Sequence, residues 1–346
     1  LLIAYRHLLQ RAKIIVLGVF LFVALIFIGT FLAFLRTPLV ADDATTPVDF
    51  IFPSGSSMVH LSDRLHTLGL FHYPKSYLLL LASIMHASNH LHAGEYQIQP
   101  GTTAVGLLQD MVAGRVVWRD FLFTEGATLK QLRQALDNNP YLIHQTHGLS
   151  QAQLAKLLKI QNKHLEGLFF PDTYRYTAGL TDTSILQKAY QSMQTHLAAA
   201  WRLRAANVGY QNSYQALIVA SLVEKEAKLP SDRPKIAGVI LKRLKMAMPL
   251  QVDATVIYGL GDAYDGKLKI AQLKMPSLYN SYLNKGLPPT PIAMPGEASL
   301  QAAMHPIISN NLFYVARGDG GHTFSATLAG QNRAVKHYRA LEHGYR

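Results

Sequence analysis

Glu224 and Glu226 close the segment Tyr214-Gln-Ala-Leu-Ile-Val-Ala-Ser-Leu-Val-Glu-Lys-Glu-Ala-Lys228. They are the side chains best placed to move protons. Leu217, Ile218, Val219, Ala220, Leu222 and Val223 are apolar all round a helical wheel, which marks a buried helix with Asn212 or Ser213 as its cap. Glu224 shares a stripe with Leu217, Ala220, Ser221 and Ala227, whose small members leave room for a ligand. A carboxyl at the end of such a helix is partly desolvated, as a general acid requires. Glu226 lies about 200° further round at 3.6 residues per turn, so the two do not form a facing pair. On bare sequence, a Glu-Lys-Glu helix end also reads as a solvated charged turn.

Other candidates lie downstream. Gln251, Asp253 and Asn280 offer amide and carboxylate groups, and Tyr258, Tyr279, Tyr282 and Phe324 offer flat apolar faces with polar edges. His322, between Gly321 and Thr323, can hydrogen-bond a ligand or orient a loop. Pro171-Asp172-Thr173 reads as a capped turn. His86, His90 and His92 have metal-like spacing, but no carboxylate or cysteine completes a ligand set, so neither a metal nor a cofactor is expected.

The elements that must position these groups fall into two patterns. A Gly, a Ser or Thr two positions later, then apolar residues four apart recur as Gly55, Ser57, Leu61, Leu65; Gly101, Thr103, Leu107, Met111; and Gly126, Thr128, Leu132, Leu136. Each copy reads as strand, turn and hydroxyl-capped helix. Two copies, with a helix over 76–88 and a strand over 94–99 between them, predict a small α+β module over 47–121. From 122 to 346 the pattern changes to helices, among them 213–228 and 232–246, followed by a loop-rich stretch dense in Gly, Pro, Tyr and Asn. Long loops of that kind line sites.

The chain's 346 residues, 49% of them hydrophobic, suffice for two domains. Ile14 to Leu35 form a charge-free apolar run, about 33 Å long as a helix, against about 30 Å of bilayer hydrocarbon. A signal peptide's apolar region is shorter. Arg6, Arg11 and Lys13 precede the run, and after Arg36 no Lys or Arg appears until Arg64. The positive-inside rule then predicts a cytoplasmic tail over 1–13, a single span over 14–35, a linker over 36–46 and an external remainder. The absence of cysteine rules out disulfides, thiolate metal sites and a lipidated-cysteine anchor. The net charge of +12 is scattered and accompanied by no nucleic-acid signature, which argues against a nucleic-acid partner.

Several stretches, in order, resemble the endolytic murein transglycosylases of the YceG-like type: Glu166-Gly-Leu-Phe-Phe-Pro-Asp-Thr-Tyr174, Ala220-Ser-Leu-Val-Glu-Lys-Glu226, Leu250-Gln-Val-Asp-Ala-Thr-Val-Ile-Tyr-Gly259, Tyr279-Asn-Ser-Tyr282, Gly286-Leu-Pro-Pro289, Pro295-Gly296 and Gly320-Gly-His-Thr-Phe324. Ala254 and Thr290 depart from the residues usual in that family, which puts local loop shape in doubt but not the reaction. The resemblance implies a LysM-like module at 47–121, an α+β catalytic domain at 122–346 and Glu224 as the catalytic residue. It places Pro171-Asp172-Thr173 in the cleft. It also implies an inner-membrane enzyme facing the periplasm that acts on nascent peptidoglycan near the synthases and limits strand elongation. Gln251, Asp253, Tyr258, Asn280, Tyr282, His322, Thr323 and Phe324 are the expected substrate-binding residues.

The expected reaction cuts the bond from N-acetylmuramic acid to N-acetylglucosamine and leaves a 1,6-anhydromuramyl end, for which one carboxyl acting as acid and then base suffices. A hydrolase of the same bond would ordinarily need a second carboxylate, with Asp253 the candidate. A non-catalytic wall-binding scaffold is the rival of another class.

Overall fold

A computed structural model describes residues 2–206 and 208–344; Leu1, at the start of the expected tail, and 345–346, at the end of the expected catalytic domain, lie outside the described residues. The chain divides into two compact units. The first comprises residues 1–119, 141–143 and 175–180; the second comprises 120–140, 144–174 and 181–346.

In the first unit, α1 (Leu2–Arg36) is followed by β1 (Val48–Phe52), α2 (Met58–Thr67), α3 (Lys75–Ile84), β2 (Gly94–Ile98) and α4 (Ala104–Val112). Strands β1 and β2 pair antiparallel, from Val48 opposite Ile98 to Phe52 opposite Gly94, and Phe50 stacks on Tyr96 across the pair. Alternation along β1 sends Phe50 and Phe52 into a core shared with Leu61 and Leu65 of α2, Leu78 of α3 and Leu107, Leu108 and Met111 of α4. The hydroxyls expected to cap helices do so: Ser57 accepts the His60 N–H and Thr103 the Gly106 N–H, each after a glycine with φ near +80°.

Residues 37–40, expected to be a linker, are tied to this module. Leu39 and Val40 are buried, the Leu39 N–H donates to Thr102 O at 2.7 Å and the Gly101 N–H to Val40 O at 3.0 Å. Their side chains are apolar and gain from burial, so this stretch does not hang free. The segment Lys13–Arg36 of α1 is long and apolar enough to cross a membrane, and its side chains are exposed over most of its length.

Strands β3 (Arg119–Leu122) and β4 (Thr173–Tyr176) lie where the chain passes from one unit to the other. The second unit contains α5 (Leu129–Asp137), α6 (Gln151–Leu157), α7 (Asp182–Arg202), α8 (Ser213–Glu226), α9 (Arg233–Lys245), α10 (Asp253–Leu260), α11 (Glu297–Met304), β5 (Phe313–Ala316), β6 (His322–Ser325) and α12 (Leu328–Gly344). Helix α8 is central: every residue from Ala216 to Val223 is buried, and α7, α9, α10 and α11 pack around it. Asn212 caps it by accepting the Gln215 N–H at 3.0 Å. The hairpin β5–β6 pairs Phe313 with Ser325 and Ala316 with His322, and α12 and α9 pack against it. Thr128 caps α5 in a reciprocal box with Gln131; Gly148 and Ser150 repeat the arrangement before α6.

Candidate active site

The apolar all-round character of α8 buries its body and delivers Glu224 at its last turn, with the side chain only 7% exposed. The Gly296 N–H donates to Glu224 Oε2 at 3.0 Å, and Arg233 Nη2 lies 3.6 Å from Oε1. Gly296 is the N-cap of α11 and Arg233 opens α9, so two helix starts converge on one carboxyl. Arg233 Nε is buried with no hydrogen-bond partner among the described residues.

Glu125 completes the group. A Cβ on Gly296 would fall 1.8 Å from Glu125 Oε1, so a side chain there would push the Glu125 carboxyl away from its present place beside Gly296. Burial and the charge of Glu224 push the Glu125 carboxyl above its ordinary value, while Arg233 opposes the shift. Glu125 is exposed where Glu224 is nearly covered, so the pair opens to solvent on the Glu125 side. The loop carrying Glu125 is clamped to the segment before α11: the Gly126 N–H donates to Met294 O at 2.9 Å, the Met294 N–H to Ala127 O at 2.8 Å, and Lys225 Nζ reaches Gly126 O at 3.2 Å.

The room expected along the Glu224 stripe is filled. Leu217, Ala220 and Ser221 are fully buried, and Ser221 Oγ accepts the Ile292 N–H at 3.1 Å, so protein rather than ligand covers that stripe below Glu224.

Glu226 lies on the other side of the helix, as its spacing requires. It is hydrogen-bonded by Tyr314 and by the Ala254 N–H, and burial, with the nearby Asp253 charge, pushes its carboxyl up to about 7. Asp253 accepts the Tyr282 hydroxyl at 2.5 Å, and Arg243 Nη1 donates to Gln251 Oε1 at 3.1 Å and to the Leu250 and Pro249 carbonyls. Gln251, Asp253 and Tyr282 thus belong to one polar cluster with Glu226, Tyr314 and Arg243. Gln251 and Asp253 remain exposed.

His322 is anchored between the two groups. Its N–H donates to Asp232 Oδ2 at 2.8 Å, its Nδ1 lies 3.3 Å from the same oxygen, and its ring meets Tyr314 edge-on at 5.5 Å. Burial opposes ionisation of Asp232, but the His322 N–H and Lys235 outweigh it and hold the carboxyl below its ordinary value. Asp232 and Arg233 are adjacent, so one turn of chain holds both the His322 strand and Glu224. Thr323 is exposed on β6, and Phe324 is half-buried with Lys235 Nζ 5.5 Å over its ring.

Two expected binding residues face inward. Asn280 is 0% exposed; its Nδ2 donates to the Leu273 and Met275 carbonyls and its Oδ1 accepts the Tyr282 N–H, so it shapes a loop and leaves no N–H for a ligand. Tyr258 donates to Glu166 Oε2 at 3.0 Å and meets Tyr279 edge-on at 4.7 Å. Glu166 also accepts the Leu129 N–H at the start of α5, and burial pushes its carboxyl up to about 7. The motif around Glu166 therefore ties α5 to α10. Thr290 is buried, with its hydroxyl 2.9 Å from that of Tyr279. Asp172 Oδ1 accepts the Thr173 N–H, the local turn expected there.

Sequence reasoning missed Glu125 and Arg233. Glu125 stands directly before the turn glycine Gly126, and Arg233 at the second position of the helix predicted over 232–246, so the signals are positional rather than compositional.

The arrangement brings together groups of a kind that can exchange protons: a nearly covered glutamate beside a guanidinium and a backbone N–H, next to a second carboxyl that is exposed. The YceG-like family matches residues 50–337. An endolytic murein transglycosylase of Bacillus subtilis is 30% identical over 316 residues, covering 86% of this chain and 87% of the relative. One of Streptococcus pneumoniae is 26% identical over 357 residues, covering 92% of this chain and 63% of the relative. A crystal structure of a YceG-like protein from Listeria monocytogenes superposes with a TM-score of 0.51 at 26% identity, covering 84% of this chain and 99% of that one. The chain belongs to the YceG-like family.

Proposed function

We propose that this chain is an endolytic lytic transglycosylase that cuts the glycan strands of peptidoglycan, with Glu224 as its acid and then its base. The observation that carries the reading is the setting of Glu224, a nearly buried carboxyl beside Gly296 and Arg233 that the helix separates from the Glu226 cluster and that borders the exposed Glu125. Glu224 donates its proton to the oxygen between N-acetylmuramic acid and N-acetylglucosamine, and the bond from that oxygen to the muramyl anomeric carbon breaks through an oxocarbenium-like state. The Gly296 N–H and Arg233 stabilise the carboxylate left behind. That carboxylate takes the proton of the muramyl 6-hydroxyl, whose oxygen closes on the anomeric carbon. The product is a 1,6-anhydro end, and no water is consumed.

His322, Thr323, Phe324, Gln251, Asp253 and Tyr282 are the groups we assign to the strand, and Tyr258 and Asn280 support the loops that carry them. The first unit acts as a LysM-like glycan-binding module, a reading supported by its strand-helix-helix-strand order closed by β1–β2 pairing. Helix α1 crosses the inner membrane with its N-terminus in the cytoplasm, so the catalytic unit faces the periplasm and meets nascent strands near the synthases, where cutting limits elongation. Weighing the products of purified glycan tests the reaction. Ends one water lighter than reducing ends, absent with Glu224→Gln, are expected; reducing ends alone would refute it.

Hydrolysis of the same bond is a second reading, favoured by Glu125, a carboxyl beside Glu224 that could activate water. Asp253 is engaged with Tyr282 and Glu226 instead.

A further inference from the structure

Helix α3 carries no charged residue from Ser76 to Met85, and one face of it has no partner among the described residues. Tyr77, Leu78, Leu81 and Ala82 face the core, whereas Leu79, Leu80 and Ile84 are 37%, 38% and 60% exposed. With Ser76 and Ser83 they form a stripe at helical spacing. Singly exposed leucines are ordinary, but here three large apolar side chains share one uncharged face with only two serines.

The position of α3 says what covers it. Tyr77 is hydroxyl to hydroxyl with Thr30 of α1 at 2.7 Å, and its ring meets Phe27 at 5.3 Å and Phe31 at 5.5 Å. The Tyr73 hydroxyl reaches Thr37 at 2.9 Å. At 1.5 Å per residue, Thr30 and Phe27 lie about 8 and 12 Å before Leu35, the end of the apolar run. On the uncovered side of α1 at the same level, Ile26, Ile28 and Leu32 are exposed. Whatever surrounds those residues also meets the first turn of α3. Tyr73, half-buried beside them, is an amphipathic aromatic of the kind that favours the boundary between headgroups and acyl chains.

We propose that α3 is a second membrane element, its Leu79, Leu80 and Ile84 stripe lying in the acyl–headgroup boundary of the bilayer that α1 crosses. This rests on the reading of α1 as a span. It holds the module against the membrane surface instead of letting it swing on a tether, which agrees with the buried Leu39 and Val40.

The absence of cysteine allows a clean test on the full chain. Leu80→Cys and Ile84→Cys would each carry an environment-sensitive fluorophore in vesicles of phosphatidylethanolamine and phosphatidylglycerol with nitroxides on the acyl chains. Leu21→Cys on α1 and Gln97→Cys, exposed on β2, are the references. The proposal expects the α3 labels to lose about half or more of their emission, as the Leu21 label does, with the Gln97 label unchanged. Quenching at Leu21 with α3 labels behaving like Gln97 overturns the proposal and leaves the span intact. No quenching at Leu21 overturns the span itself and the proposal with it. Emission from α3 that depends on the protein-to-lipid ratio, through self-quenching between labelled copies, assigns the stripe to a second copy and also overturns it.

Discussion

Glu224 and Glu226 are two residues apart on one helix, yet they occupy different chemical worlds. Glu226 is enclosed by Tyr314, Ala254 and Asp253, and its carboxyl is pushed up to about 7. Glu224 faces the starts of α9 and α11, and its neighbour Glu125 opens to solvent. A search for the most perturbed carboxyl would choose Glu226, or Glu166, which is also pushed up to about 7. Both are engaged by tyrosine hydroxyls and backbone N–H groups that hold loops together. A shifted pKa marks burial; access to a substrate is a separate property, and Glu224, though nearly covered, borders the exposed Glu125.

The sharpest way to break this comparison is to exchange the charges. Glu224→Gln should lower the rate of strand cutting by about 10²–10⁴-fold, the range for a lost general acid. Glu226→Gln should stay within about tenfold of wild type, because it keeps the hydrogen-bonding shape and touches no reacting atom in this account. Equal losses in the two variants would dissolve the distinction. Next in size is Gly296→Ala. Its methyl group would meet Glu125 Oε1 at 1.8 Å and displace the carboxyl pair, costing about 10–100-fold in rate, read in the same assay.

Stability tests the other side of the comparison. Glu166 and Glu226 have folded-state values near 7 against an ordinary 4.5, so each contributes stability that is full below 4.5 and lost as pH rises through about 7. Glu166→Gln and Glu226→Gln should each flatten that fall, by on the order of 2 kcal/mol, in denaturant unfolding followed between those pH values. The smallest effect falls on Glu125. With Glu224→Gln the like charge is gone, and carboxyl resonances should show Glu125 titrating lower than in the wild type, burial still holding it above its ordinary value.

What was legible in the sequence was local chemistry. The turn glycines Gly55, Gly101 and Gly126 and the caps Ser57, Thr103 and Thr128 form within a few residues, and the structure repeats them as read. The opposition of Glu224 and Glu226 followed from helical spacing alone. The pairing of Glu224 with Glu125 and Gly296 could not follow, because it depends on loops far apart in the chain closing on one helix end. Asn280 shows the converse: an amide in a loop looks like a ligand group until the carbonyls of Leu273 and Met275 are seen to take both of its N–H groups. Leu39 and Val40 sat in a stretch whose Asp, Thr and Pro content read as a spacer, and two apolar side chains were enough to dock it.

The central claim is that one carboxyl, acting as acid and then base, closes the muramyl ring on itself without water. Digesting purified glycan strands with the wild-type chain in ¹⁸O-labelled water tests this directly. Anhydro ends carrying no ¹⁸O are expected. Reducing ends carrying one ¹⁸O each would contradict it and indicate hydrolysis.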